Sequence, residues 1–369
     1  MRVSLLKHQS QLLSSEHVVQ ALRSTGVDVS EASSAKSLPS GSILLAIGLY
    51  GSEKDPLAET FLREARDRGV TRILWQFEPT LPPKLSGRAK SIIDWLLKDE
   101  HLQVDRGSLA RRVDEVLCHA LAFSTRTEPW SRRVSSGKIF KFPLWQSRVL
   151  LRRWQDGLFD RIFVSLSPRR GFLSERGITS AFVPVGHIPS FGKRNSGDNR
   201  DIDVLFLGLK AGRRRRNLLR DLEDKLSSAG FRFVVVDGGC LGDERTQLLN
   251  RSKIVLNLHK FPWEFPGMRL LMAMSCGALV VSEPAPDMRP YVQDEHLVVS
   301  PIDTLADTLI RCLTDADLRR STADRAYHFV MQDMQLGRIL SQALLQAGPD
   351  NAQHIRTATA YPDQSSDFG

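Results

Sequence analysis

Short, nearly continuous apolar runs alternate with helix-type segments along most of this chain, and that alternation constrains the fold more than any other feature. In the first half, strands are predicted at residues 2–6, 43–48, 72–76, 161–166 and 180–184, with helices at 16–24, 59–68, 89–98, 109–122 and 145–156. In the second half, strands are predicted at 204–207, 231–236, 254–258, 278–281 and 297–300, with helices at 214–229, 244–250, 268–276, 302–314 and 317–331. Strands apolar on both faces belong in parallel sheets covered by helices on both sides. The expected class is therefore α/β, with Rossmann-like parallel-sheet domains.

At 369 residues the chain exceeds one ordinary core, and two domains follow. The rhythm breaks once, at IPSFGKRNSGDN (188–199), a Gly-, Ser- and Asn-rich stretch of linker character. The expected division is a first domain over 1–190, a second over 200–335, and a C-terminal helix with a loose tail over 336–369, where Pro349 and Pro362 fall. Two such domains in tandem leave a cleft. Their ligands are expected at the carboxyl ends of the strands, where loops meet helix N-termini.

Composition narrows the class further. Hydrophobic residues at 41% and charged residues at 25% are ordinary globular values, which argues against long disordered stretches. No apolar run approaches the roughly 20 residues of a membrane span. The start, MRVSLLKHQSQLLSSEH, lacks the apolar core of a signal peptide, so a cytoplasmic location is expected. Cys118, Cys240, Cys276 and Cys312 form no CxxC pair and read as reduced, buried thiols. The net charge of +9, carried partly by arginine pairs and by the run Arg213 to Arg216, favours anionic partners; solvated helix faces account for many of the pairs.

The segment richest in chemistry is NLHKFPWEFPGMRLLMAMSCGALVVSE, residues 257–283. It reads as a buried strand, a loop with an acid, a helix, a glycine turn and a second strand ending in an acid. Glu264 precedes the helix and Gly267 lies near its start, an arrangement suited to a diphosphate on the helix N-terminus and sugar hydroxyls on the carboxylate. Arg269 lies in the first helical turn, where a cation opposes the macrodipole, so an anionic partner would explain it. Without that partner, Glu264 is a helix-start acid and Arg269 a surface residue.

Further candidates stand at other strand ends. The run Arg213 to Arg216 follows the strand VLFLG, which ends at Gly208; successive helical side chains are about 100° apart, so only one or two can face a ligand. His187 is expected at the end of the first domain and His259 at the end of VLNLH. Glu78 follows the strand ILWQF at its carboxyl end, and Asp237 follows FVVV, where it suits a ribose or base but is equally an ordinary turn residue. Each histidine is also readable as a structural one. Asp201-x-Asp203 precedes its strand instead of ending it, so no metal is expected there. GLYG at 48–51 is not GxGxxG, and neither a Walker motif nor a nucleophile elbow is present.

DIDVLFLG, RRRRNLL, KIVLNLH and RLLMAMSCGALVVSE together resemble the C-terminal domain of the CgeB-like glycosyltransferases, relatives of the retaining GT-B class. FDRIFVSLSPRRGFLSERGI, FVPVGHIPSFG and ILWQFEPTLPP resemble parts of that family's N-terminal domain. The likeness covers roughly residues 40–330, and the first 40 carry almost none of it. It implies a GT-B fold with two domains facing a cleft, and retaining, metal-independent transfer from a UDP-, GDP- or dTDP-linked sugar used as co-substrate, with no other cofactor.

The resemblance places Glu264 at the donor sugar and one arginine of the 213–216 run, Arg213 or Arg214, at the donor diphosphate. From their positions at strand ends and helix starts, His187 and His259 join Glu264 as catalytic candidates, Gly208, Asp237, Gly267, Arg269 and Glu283 are donor candidates, and Glu78 is a candidate on the acceptor side. The wider class has a second glutamate eight positions after the first, and here that position is Met272. Methionine is a poor acceptor for a ribose hydroxyl. Either the ribose is held elsewhere, Glu283 being the nearby acid, or donor binding has changed or been lost. Three readings therefore stand: a transferase with an unidentified acceptor such as an acidic glycan, one acting on modified DNA bases, and a catalytically inactive binding protein on the same scaffold.

Overall fold

The computed structural model describes residues 1–6, 13–32, 34–48, 56–102, 108–126, 136–195, 197, 199–210, 212–265 and 267–348. The tail beyond 348 and most of GLYG lie outside the described residues. The chain divides into two compact units, Val185–Leu336 and the remainder, Met1–Pro184 with Gly337–Gly369.

The first unit is a six-stranded sheet ordered β2-β1-β3-β4-β5-β6. Its strands are β1 (Arg2–Leu6), β2 (Asp28–Ala32), β3 (Ile43–Ile47), β4 (Thr71–Gln76), β5 (Arg161–Val164) and β6 (Ser180–Phe182). Every pairing is parallel. The helices are α1 (Ser15–Arg23), α2 (Pro56–Asp67), α3 (Gly87–Leu96), α4 (Ser108–Ser124), α5 (Lys138–Gln155) and α6 (Pro168–Ser174).

Three elements here were not read from the sequence as they stand. The first, β2, is an edge strand with the pattern DVSEA, half-exposed and carrying two acids, so it lacks the apolar signal of an inner strand. Helix α5 starts seven residues before the expected 145 because it accommodates Pro143 near its start, where sequence reasoning ends a helix. The third, α6, spans only seven residues and contains Gly171.

The second unit is a five-stranded sheet ordered β11-β10-β9-β7-β8, again parallel throughout. Its strands are β7 (Ile202–Leu207), β8 (Phe233–Val236), β9 (Ser252–Asn257), β10 (Leu279–Ser282) and β11 (Val298–Val299). The helices are α7 (Arg213–Ser228), α8 (Gly242–Asn250), α9 (Gly267–Ser275), α10 (Leu305–Thr314) and α11 (Ala316–Gln332). Leu219, Leu222 and Leu226 of α7 and Leu305 and Leu309 of α10 pack with Val204, Phe206, Ile254 and Leu256 of the sheet, which closes one face with apolar side chains.

The division departs from the expected boundaries. It falls after Pro184 instead of 190, and the first part of the expected linker is a packed turn at Pro189–Phe191, with Ile188 and Phe191 buried. The last helix, α12 (Leu336–Gln346), groups with the first unit from Gly337 onward, instead of standing apart with the tail. A Cβ on Gly337 would stand 2.1 Å from the carbonyl of Ala21, so only glycine lets α12 lie this close to α1.

All four cysteines are free and buried. Burial pushes the Cys118 thiol up to about 12 and that of Cys276 up to about 11. Several arginines of the sequence pairs are structural: Arg153 is buried, and Arg169 donates to Ser165 Oγ at 3.1 Å. Asp201 and Asp203 are engaged by cations, Asp201 with Arg251 and Arg232 and Asp203 with Lys253. Among the described residues no helix is long and apolar enough to cross a membrane.

Candidate functional site

In the second unit the chain runs from β7 outward to β8, then crosses back to lay β9, β10 and β11 on the other side. The order therefore reverses between β7 and β9. In open parallel sheets the crevice outside the carboxyl ends at such a switch point is where ligands bind. Two guanidinium groups occupy this place.

Arg215, in the first turn of α7, donates from Nη1 to the carbonyl of Leu209 at 2.7 Å and from Nη2 to that of Leu258 at 3.0 Å. Arg269, in the first turn of α9, donates from Nη1 to Asn257 Oδ1 at 3.0 Å and to the same Leu258 carbonyl at 3.4 Å. Phe206 of β7 lies beneath both, with ring-centroid distances of 5.7 Å and 5.4 Å. Burial, with the charge of Arg215 beside it, pushes the Arg269 guanidinium down to about 10. Arg215 is lowered as well, chiefly by burial and further by Arg214, against the opposing pull of Glu283.

Gly208 makes this approach possible. It ends β7 with φ +150° and donates its N–H to the carbonyl of Val236 at 3.0 Å. A Cβ there would stand 2.6 Å from Arg269 Nη2. The glycine leaves room for the guanidinium against the strand end.

A third arginine is held by a carboxylate. Glu283, just past β10, is fully buried; it forms an ion pair with Arg214 and accepts the backbone N–H of His259. The His259 ring stands 3.3 Å from Ser282 Oγ through Nε2 and packs edge-on to Phe265. Asn257 spans the gap: its Oδ1 receives Arg269, and its Nδ2 donates to Ser282 Oγ at 3.0 Å. Three cations and one buried carboxylate thus converge on the ends of β7, β9 and β10. The first turns of α7 and α9 contain no acid, and Gly212, the N-cap of α7, offers no side chain to cap it. Such a site favours a ligand carrying more than one negative charge.

The remaining expected residues fall as follows. Glu264 is buried in the aromatic loop between β9 and α9, beside the buried Trp263 and Phe265, and its N–H donates to the Phe261 carbonyl at 3.0 Å. Gly267 opens α9. Asp237 is exposed, and its Oδ1 accepts the N–H of Lys210 at 2.7 Å, tying the loops after β7 and β8 together. Arg213 is exposed.

Glu283 holds Arg214 in an ion pair and accepts a backbone N–H, so its carboxylate joins the arginine group directly. Met272 is buried on α9, where the related class has its second glutamate.

His187 does not join this group. It belongs to the second unit, bonded through its backbone to Met334 and Leu336 and through Nε2 to the carbonyl of Gly192 at 3.1 Å. Burial lowers its pKa. Glu78, in the first unit, is buried at the ends of β3 and β4, accepts the N–H of Phe77 at 3.3 Å, and has an oxygen 2.7 Å from where a Cβ on Gly48 would stand.

Sequence reasoning missed Arg215 as the inward arginine of its run, and missed Asn257, Ser282 and Phe206. The signal available was a polar residue closing each of two apolar strands, Asn257 in β9 and Ser282 in β10.

Two parallel-sheet α/β domains of this kind are the GT-B fold. Residues 213–344, most of the second unit and the start of α12, match the family model described as glycosyl transferase-like. TarM of S. aureus, solved as a mutant with fondaparinux, alpha-GlcNAc-glycerol and UDP, is similar with a TM-score of 0.50 at 9% identity, over 82% of this chain and 54% of TarM. The chain thus spans about half the length of TarM, and the likeness speaks for the fold. Anabaena Alr3699/HepE, solved with UDP and glucose, aligns over 94% of this chain and 99% of its own at 12% identity, with a TM-score of 0.49. No curated protein matches the sequence.

Proposed function

We propose that this protein is a glycosyltransferase of the CgeB-like type that binds a nucleotide-sugar donor through its second domain and transfers the sugar to an acceptor. The observation that carries this reading is the convergence of Arg214, Arg215 and Arg269 on the β7/β9 switch point, beside two helix N-termini without acids. The glycosyl transferase-like match over 213–344 supports it, since it includes all three arginines.

In this reading the donor diphosphate lies on α7 and α9, and the guanidinium groups stabilise the charge that grows on it as the bond to the sugar breaks. Fixed donors suit this role because they need no reorganisation during the reaction. Glu264 orients the sugar ring from the loop before α9. Reaction with retention and without a metal is part of the proposal, as are a cytoplasmic location and an anionic acceptor, with DNA and acidic glycans the two candidates that the net charge of +9 favours.

The test is a melting-temperature and hydrolysis screen against UDP-, GDP- and dTDP-sugars and the free nucleotides. Stabilisation by one nucleotide series with slow release of nucleotide supports the reading. No stabilisation by any of them would overturn it. With the donor known, Glu264→Gln is expected to abolish turnover without changing the melting transition.

Met272 favours a second reading, a binding protein without transfer activity, because an apolar buried side chain stands where the related class holds its ribose. Met272→Glu separates the two. Donor turnover that appears only in this variant would establish the second reading; turnover already present in the wild type would dismiss it.

A further inference from the structure

At the other end of the second sheet, where β7, β9 and β10 begin, lies a cavity of about 310 Å³. Five cations line it, Arg194, Arg200, Lys253, Arg319 and Arg320, with one carboxylate, Asp324. Gly277 and Glu283 bracket β10, so at roughly 3.3 Å per residue this cavity lies about 20 Å from the donor site. It belongs to the second unit entirely.

The cations are drawn together by the backbone. Arg200 donates to the carbonyls of Ser252 at 2.5 Å and Cys276 at 2.8 Å, across the starts of β9 and β10. Arg319 donates to the carbonyls of Cys312 and Leu313 at 2.9 Å and 2.7 Å, at the end of α10. Gly277, at φ +70°, has no side chain to separate them: a Cβ there would stand 3.1 Å from both Arg194 Nε and Arg200 Nη2. Two guanidinium groups therefore approach within roughly 6 Å, a separation at which like charges repel.

The carboxylates do not balance this charge. Asp324 meets Arg194 at 2.5 Å, and Asp203 meets Lys253 at 2.6 Å. Asp315, which also acts on Arg319, is engaged as the N-cap of α11 through the N–H of Leu318. Five cations against Asp324, Asp203 and Asp315 leave an excess of two. Carbonyl acceptors hold a guanidinium in place but leave its charge intact. Burial, and after it the adjacent Arg320, lower the pKa of Arg319 against the opposing pull of Asp203 and Asp315.

We propose that this pocket is a second anion site, which binds a diphosphate or polyphosphate group. An excess of two charges exceeds what one carboxylate would answer, and the forked donors of arginine match phosphate oxygens. The volume is at the lower end for small-molecule sites and holds a compact, highly charged group. The phosphates can come from a soluble polyphosphate or from the headgroups of an anionic lipid surface.

The test uses the full chain and two probes, at low ionic strength. Pyrophosphate is titrated calorimetrically, and vesicles of phosphatidylglycerol in phosphatidylcholine are tested by co-sedimentation. The variants are Arg319→Ser/Arg320→Ser, the single exposed-site variant Arg320→Glu, whose melting transition checks the fold, and Arg269→Met on the donor side. The expected result is a loss of about tenfold or more in affinity for at least one probe in both pocket variants, while Arg269→Met retains that binding. Loss confined to pyrophosphate identifies a soluble source, and loss confined to vesicles a headgroup. Failure of the wild-type protein to bind either probe, binding of both probes at wild-type strength in the pocket variants, or binding abolished by Arg269→Met alone, would overturn the proposal.

Discussion

Arg215 and Arg269 donate to one acceptor, the carbonyl of Leu258, at 3.0 Å and 3.4 Å, although they come from different helices. Burial, and then the repulsion of Arg215 beside it, lower the Arg269 guanidinium to about 10. The sign follows from linkage: a base whose folded pKa is depressed burdens the fold at every pH below that value, so the full burden is present at neutrality. Arg269→Met is therefore expected to leave the melting temperature of the unliganded protein nearly unchanged or raised. The same variant should weaken nucleoside-diphosphate binding about 10- to 100-fold. Calorimetry and nucleotide titration read the two effects separately, and unaltered nucleotide affinity would remove Arg269 from the site.

Gly208→Ala tests the approach of that guanidinium without touching any charge. The new Cβ would meet Arg269 Nη2 at 2.6 Å, on a backbone at φ +150°. Because the obstructing atom is the end of a flexible side chain, Arg269 is expected to swing away while the sheet persists. Nucleotide affinity should fall toward that of Arg269→Met, with a smaller loss of thermal stability than a core substitution gives. Wild-type affinity in Gly208→Ala would show that the position of Arg269 does not matter.

The pair Arg214–Glu283 is asymmetric: the carboxylate side chain is 0% exposed and the guanidinium 20%. Removing the arginine takes the ion-pair cation from a fully buried carboxylate, which costs up to about 3 to 5 kcal/mol, whereas removing the carboxylate frees a cation that can reach water. Arg214→Met is thus expected to destabilise the protein more than Glu283→Gln does. Denaturant titration of both variants measures the order. The reverse order would mean that Glu283 is not the member held by its partner.

Acid sensitivity should originate partly at His187. Burial holds its imidazole below the ordinary 6.5, and its Nε2 sits 3.1 Å from the Gly192 carbonyl, which accepts the proton of the neutral ring. With the folded pKa lowered, the unfolded chain binds more protons as pH drops through 6.5, so stability present above that value is lost below it. His296 is lowered by burial too and adds in the same direction. Melting temperatures from pH 7.5 down to about 5.5 should fall in the wild type and fall less in His187→Gln. Equal slopes would show that His187 contributes nothing to it.

Much of the architecture was legible because its inner strands are apolar on both faces. LLAI in β3 and IVLN in β9 announce themselves wherever they fold. The edge strand β2 was not legible, since half of it faces water and its acids carry no burial signal. Nor was the return of α12 to the first unit: amphipathic spacing says that a helix has a buried face, not which sheet receives it.

The chain's local pattern by itself determined the parallel-sheet class, the doubling of the βα rhythm and the expectation of a site at the strand ends near Glu264. Strand order, and therefore the switch point between β7 and β9, was decided only in three dimensions. So were the choice of Arg215 as the inward member of a run of four arginines, the pairing of Glu283 with Arg214, and the bonding of the His187 ring to the carbonyl of Gly192. The physical reason is the same throughout. Periodicity is set by each segment's own exposure to water, whereas charge pairing depends on residues such as Arg214 and Glu283, 69 positions apart, that only the tertiary fold brings into contact.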